Sequence, residues 1–212
     1  MADLYIIAGP NGAGKSTFSH LYVPGNVRVF DGDKLLALRE KQYPDIDPGS
    51  LKEGVDAQFE NDKQEAIRHR RDFAYETNFS SAAPLATAQE FRKQGYRINL
   101  IFLGLSSIQI AEGRVGTRVE LGGHLVEKAE IAARFKEGMK NLQKHIRFFD
   151  RALLYSSEKS KRLEIPSRLL KIEKGVVVQK AAKLPTWAKK VVMDLGVKIE
   201  QTSQQQGKGK KR

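Results

Sequence analysis

Eight residues near the start of the chain, Gly9-Pro10-Asn11-Gly12-Ala13-Gly14-Lys15-Ser16, follow the spacing G-x-x-x-x-G-K-[ST], and they constrain the fold more than any other feature. They come directly after Leu4-Tyr5-Ile6-Ile7-Ala8, a short β-rich apolar run, and lead into a helical pattern from Lys15 to Leu21. Strand, glycine-rich turn and helix in this order make a cradle for phosphate. Glycines let backbone N–H groups approach the anion, and the helix N-terminus adds positive potential. In such a cradle Lys15 reaches the β- and γ-phosphates and Ser16 ligates Mg²⁺. The expected nucleotide contacts are Gly9, Pro10, Asn11, Gly12, Ala13, Gly14, Lys15, Ser16 and Thr17, with ATP or GTP as the ligand.

The rest of the chain continues the alternation that this start implies. Strand signals recur at 27–30, 73–75, 98–103 and 152–155, and helical patterns lie between them at Asp33 to Glu40, Ser50 to Arg71 and Leu85 to Gln94, the last closed by Gly95. A longer pattern from Val126 to Phe149 carries Ile131, Phe135, Met139, Leu142, Ile146 and Phe149 on one stripe. Beyond it, Arg168 to Ile172 and Val176 to Gln179 flank Glu173-Lys174-Gly175 as a hairpin, and Trp187 to Leu195 predicts a last short helix. This is the pattern of a three-layer α/β domain with a five-stranded parallel sheet, followed by a β-hairpin and a helix. The expected division is one domain over 1–200, with a lid region at about 112–135, and a disordered basic tail at 201–212.

Charge and composition exclude several classes. The 212 residues carry a formal net charge of +12, which favours an anionic partner. That excess is local: residues 1–111 carry −1, 112–162 carry +5, 163–200 carry +4 and the tail from Gln201 carries +4. Four charges without aromatic residues give the tail only weak, salt-sensitive attraction for nucleic acid. Absence of cysteine removes disulfides, thiolate zinc sites and a cysteine nucleophile. His20, His69, His124 and His145 are scattered and lack metal-ligand spacing. No apolar run reaches the ~18 residues of a membrane span, and the start lacks the features of a secretory signal, so a cytoplasmic location is expected.

Candidate chemistry clusters at the carboxyl ends of the strands, where open α/β sheets bind ligands. Asp31 and Asp33 follow the second strand: one carboxylate can take the proton of an attacking hydroxyl while the other holds Mg²⁺ through water. Asp33 equally suits the N-cap of the following helix. Tyr75-Glu76-Thr77-Asn78-Phe79-Ser80 brings Glu76 and Asn78 to the third strand's edge, and the same residues fit a plain turn with Asn78 in the left-handed conformation. Arg114 and Arg118 share a helical face ahead of Gly122-Gly123-His124, a glycine pair able to hinge a lid, and can neutralise a transferring phosphoryl group.

These four blocks, in this order and spacing, resemble the zeta-toxin-like P-loop kinases over about residues 3–155, closest to the branch often labelled a predicted ABC-type ATPase. The resemblance implies a Mg²⁺-ATP-dependent kinase acting on a hydroxyl of a small phosphorylated or nucleotide-sugar acceptor, since characterised zeta toxins phosphorylate UDP-N-acetylglucosamine. It makes Lys15 the phosphate lysine, Ser16 the metal ligand, Asp33 the hydroxyl-activating base, Glu76 a substrate contact and Arg118 a transition-state arginine. Asp31, Asn78, Arg114 and Arg134 join the acceptor side. The family's Glu-Gly-Thr is here Glu76-Thr77-Asn78, and a second lid arginine is replaced by His124 or Arg134. An antitoxin partner is a family property that the residues do not encode. The alternative class, an ATP-hydrolysing switch or ABC-like ATPase on nucleic acid, draws on Pro10-Asn11-Gly12 and the basic second half, but its Leu-Ser-Gly-Gly-type signature and Asp-Glu pair are missing.

Overall fold

The computed structural model describes residues 1–121, 126–158 and 164–196. Gly122-Gly123-His124 and the basic tail lie outside them. Five strands run parallel in the order β2-β3-β1-β4-β5: β1 (Asp3–Ala8), β2 (Val29–Phe30), β3 (Phe73–Thr77), β4 (Arg97–Gly104) and β5 (Arg151–Ser156). The helices are α1 (Lys15–Phe18), α2 (Gly32–Gln42), α3 (Pro48–Arg68), α4 (Ala83–Lys93), α5 (Ile108–Glu120), α6 (Lys128–His145) and α7 (Thr186–Asp194).

The hairpin corrects one expectation. β6 (Ser167–Glu173) pairs antiparallel with β5, and β7 (Val176–Lys180) with β6, so they extend the sheet to seven strands rather than standing beside it. Without β6, the edge groups of β5 would be unpaired, and Leu169, Leu170 and Ile172 would lose the core they fill. The turn itself is as the sequence predicts, with Lys174 at φ 48° and Gly175 at φ 78°.

Strand periodicity sorts side chains to two faces. On β4, Ile98, Leu100 and Phe102 join a large core with Phe91 of α4, Leu142 of α6 and Val191 of α7, whereas Ile101 and Leu103 join Ala13, Ala111 and Val115 opposite. Helix α6 contributes to both: Ile131 to the second core, and Leu142 with Ile146 just beyond its end to the first. It passes the carboxyl end of β3, where a Cβ on Gly138 would lie 2.6 Å from the Asn78 carbonyl oxygen. Phe135 and Met139 on the expected stripe are partly buried against these cores.

Candidate active site

The glycine loop leaves β1 with Gly9 at φ 144°, Gly12 at 74° and Gly14 at 81°. Gly9 also sits so close to β4 that a Cβ would meet the Leu103 carbonyl oxygen at 2.2 Å. Gly14 opens α1 with no side-chain cap, and its carbonyl accepts from the Thr17 and Phe18 amides at 3.2 and 3.0 Å, which closes the first turn of the helix. The loop is braced from behind by groups with a weak sequence signal. Ser157, just past β5, donates to Ala13 O at 2.7 Å, and Arg114 donates to Gly12 O at 3.2 Å. Arg114 is therefore a part of the loop's support. The sequence reading missed Ser157, whose one signal is its place at a strand's carboxyl edge.

Lys15 folds back across the loop. Its ammonium donates to Gly9 O at 2.8 Å, Pro10 O at 3.2 Å and Asn78 Oδ1 at 2.9 Å. Burial pushes its pKa down to about 8, against the opposing charges of Glu76, Asp33 and Asp31, while Arg118 adds to the push. Lys15 thus stays largely charged at neutral pH.

Ser16 Oγ lies 2.6 Å from Asp31 Oδ2 and 2.8 Å from Glu76 Oε2. Burial first, and then the charge of Asp31, push Glu76 up to about 7, despite hydrogen bonds from Ser16 and Ser19 and the nearby charge of Lys15. Asp31 also starts the next helix. Its Oδ1 accepts from Lys34 N–H at 3.0 Å, so Asp31, not Asp33, caps α2. The backbone decides this, because Asp31 is extended at φ −118° and the helix begins at Gly32. Asp33 stands in the first turn of α2, exposed.

The turn after β3 differs from expectation. Phe79, not Asn78, takes the left-handed conformation, at φ 57°, which costs on the order of 1–3 kcal/mol for a bulky residue. Its ring is 1% exposed and packs edge-on to Phe149 at 6.1 Å. Burial of an aromatic ring, roughly 1.5–3 kcal/mol, offsets the strain. Asn141 donates to Phe79 O at 2.9 Å.

The structure therefore brings Lys15, Ser16, Asp31, Glu76 and Asn78 into direct contact, with Asp33 and Arg118 close enough to act on Lys15 through their charge. Arg118 is exposed on α5. Arg134 pairs with Glu130 one turn earlier on α6, and no described contact brings it to the cleft. Among the described residues no three His, Cys, Asp or Glu gather as a metal cage, and no helix is long and apolar enough to cross a membrane.

Residues 2–163 match the family Zeta toxin, a span that includes every contact just described. The chain belongs to the zeta toxin family. A relative from Haemophilus influenzae, described only as an uncharacterized protein, is 25% identical over 130 residues, 60% of this chain and 88% of the relative. Among solved structures, this zeta toxin family member is similar to a chain of the PezAT chromosomal toxin-antitoxin system of Streptococcus pneumoniae, with TM-score 0.58, 16% identity and coverage of 92% of this chain and 78% of that one. It is also similar to a chain of AvrRxo1-ORF1:-ORF2 solved with ATP, with TM-score 0.62, 10% identity and coverage of 89% and 62%. These likenesses establish a P-loop kinase-like fold.

Proposed function

We propose that the protein is a Mg²⁺-ATP-dependent phosphotransferase that moves the γ-phosphoryl group to a hydroxyl of a small acceptor. The observation that carries this reading is the convergence of Lys15, Ser16, Asp31 and Glu76 at the mouth of a glycine loop, with Asp33 in the helical turn that Asp31 caps. The ATP-solved relative and the family match support the choice of nucleotide.

The donor set suits Mg²⁺, which takes hard oxygens and commonly uses one or two carboxylates beside substrate phosphates. Ser16 Oγ offers such an oxygen, with those of Asp31 and Glu76 only 2.6 and 2.8 Å from it. When bound, the ion neutralises charge on the phosphates. Lys15, keeping its protons, donates hydrogen bonds to phosphate oxygens in place of those it now donates to carbonyls. Asp33, left free of the capping bond that Asp31 makes, takes the proton from the acceptor hydroxyl as its oxygen bonds to the γ-phosphorus. The bond from that phosphorus to the bridging oxygen breaks, and ADP leaves with the electron pair. Arg118 faces the charge that spreads over the transferring group.

The family makes a UDP-N-acetyl sugar the first acceptor to test, and the toxin-antitoxin system of the PezAT relative supports a neutralising protein partner. Incubation with ATP and a panel of UDP-sugars is expected to give one phosphorylated sugar, and Asp33→Asn to abolish it. ATP consumption at one low rate with every acceptor and with that variant would falsify the proposal.

A further inference from the structure

An ammonium group has three protons, and the structure gives each proton of Lys15 an acceptor. Two acceptors, Gly9 O and Pro10 O, belong to the glycine loop. The third, Asn78 Oδ1 at 2.9 Å, comes from a different strand. Its placement is over-determined. Thr77 lies opposite Ala8 in the β1–β3 ladder, so Asn78 and Gly9 leave adjacent strands at the same level of the sheet. The Phe79 amide donates to Thr77 Oγ1 at 3.0 Å, and its carbonyl accepts from Asn141 of α6. Gly138 on the same helix lets the Asn78 carbonyl approach to where a methyl group would clash. The buried Phe79 ring anchors the turn.

We propose that Asn78 is a positioning residue for phosphate binding: α6, through Gly138 and Asn141, sets the 78–79 turn so that the Asn78 carboxamide aims the Lys15 ammonium across the mouth of the loop. This rests on the reading of that loop as a nucleotide site. A carboxamide fits this role. It is neutral, so it holds the ammonium less tightly than an anionic phosphate oxygen does. An incoming phosphate can therefore take a proton of Lys15 from an ordered starting point, and less side-chain freedom is lost on binding. The first turns of helix α6 fall within the expected lid region, so a shift of that helix would reach Lys15 through two hydrogen bonds.

The test combines two readouts on the full chain. Lys15 acylation by an amine-reactive ester is followed by peptide mass spectrometry, and the ATP dissociation constant is measured by calorimetry. In Asn78→Ala, Lys15 is expected to label about fivefold faster relative to the other lysines, and ATP to bind roughly two- to tenfold more weakly, as befits the lost pre-ordering of one long side chain. Asn141→Ala should move both readouts the same way by less. Wild-type values of both in the two variants overturn the inference. So does weaker ATP binding with unchanged Lys15 labelling, which would make Asn78 a direct ligand contact. Faster labelling of every lysine in Asn78→Ala signals lost packing, and Asn141→Ala then decides. If wild-type protein neither binds ATP nor protects Lys15 with it, the nucleotide reading fails and takes this inference with it.

Discussion

At Ser16 a single proton governs how two carboxylates coexist. A hydroxyl can donate to only one acceptor, yet both Asp31 and Glu76 lie within 2.8 Å of it. The second contact is favourable only while one carboxyl keeps a proton, and Glu76, held at about 7, is the one that does. Its folded pKa lies above the unfolded value of 4.5, so the folded protein binds more protons between those limits, and stability falls as pH rises from 4.5 through 7. Glu76→Gln keeps a neutral partner at all pH values. It is therefore expected to raise the melting temperature at pH 8 and leave it nearly unchanged at pH 4.5, while weakening Mg²⁺-dependent ATP binding. A stabilisation of equal size at both pH values would show that the carboxylate charge is not the cause. Residue types at this site were legible from the motif and the strand ends. Which of Asp31 and Asp33 caps α2 was not, because that depends on where one φ/ψ pair leaves the helical region. Phe79 could not have been foreseen in a left-handed turn, since its anchor, Phe149, is 70 positions away in the chain.

At the level of elements, period and punctuation carried most of the information. The four strand signals after β1, the Gly95 stop and the Lys174-Gly175 turn all fall where local physics puts them. The docking of the hairpin on β5 was hidden because antiparallel addition leaves no mark on the hairpin's own pattern. The same long-range logic governs Gly104 at the end of β4, where a Cβ would come within 2.2 Å of the Trp187 ring of α7. Trp187 is 8% exposed and packed in the large core, so neither partner can yield freely. Gly104→Ala should cost about 1–3 kcal/mol by overpacking, lowering the melting temperature by roughly 2–12 °C for a chain of this size. Adding Trp187→Leu to it should recover part of the loss. A Gly104→Ala melting temperature equal to wild type would show that α7 is not fixed against β4. A second tie, Lys63, joins α3 to α4 through Glu90 and pairs with Glu60 of its own helix, each at 2.7 Å. Burial opposes its charge, but the two hydrogen-bonded carboxylates win and raise its pKa. Lys63→Ala should destabilise the pair of helices by about 1–3 kcal/mol, measurable by urea unfolding, without touching the cleft.

Across the whole molecule, stability and chemistry occupy opposite ends of the parallel sheet. Lys15, Ser16, Glu76 and Asn78 cluster at the carboxyl ends of β1 and β3. At the amino ends, buried Asp3 accepts two hydrogen bonds from Arg97, at 2.6 and 2.7 Å, and one from Asn99 at 2.7 Å. Burial works to raise the Asp3 pKa, but these hydrogen bonds and the Arg97 charge outweigh it and leave it below 3.8. A carboxylate whose folded pKa is depressed contributes stability above its unfolded pKa and loses it as pH falls through the folded value. Asp3→Asn is thus expected to lower the melting temperature at pH 7, by an amount that shrinks as pH falls below 3.8, and to leave ATP affinity at its wild-type value. The contrast with Glu76→Gln is diagnostic, because that change stabilises at high pH while weakening ligand binding. One substitution removes a satisfied charge far from the cleft, the other a strained charge inside it. If Asp3→Asn weakened ATP binding as strongly as stability, the two ends of the sheet would be energetically coupled, and the separation would be wrong.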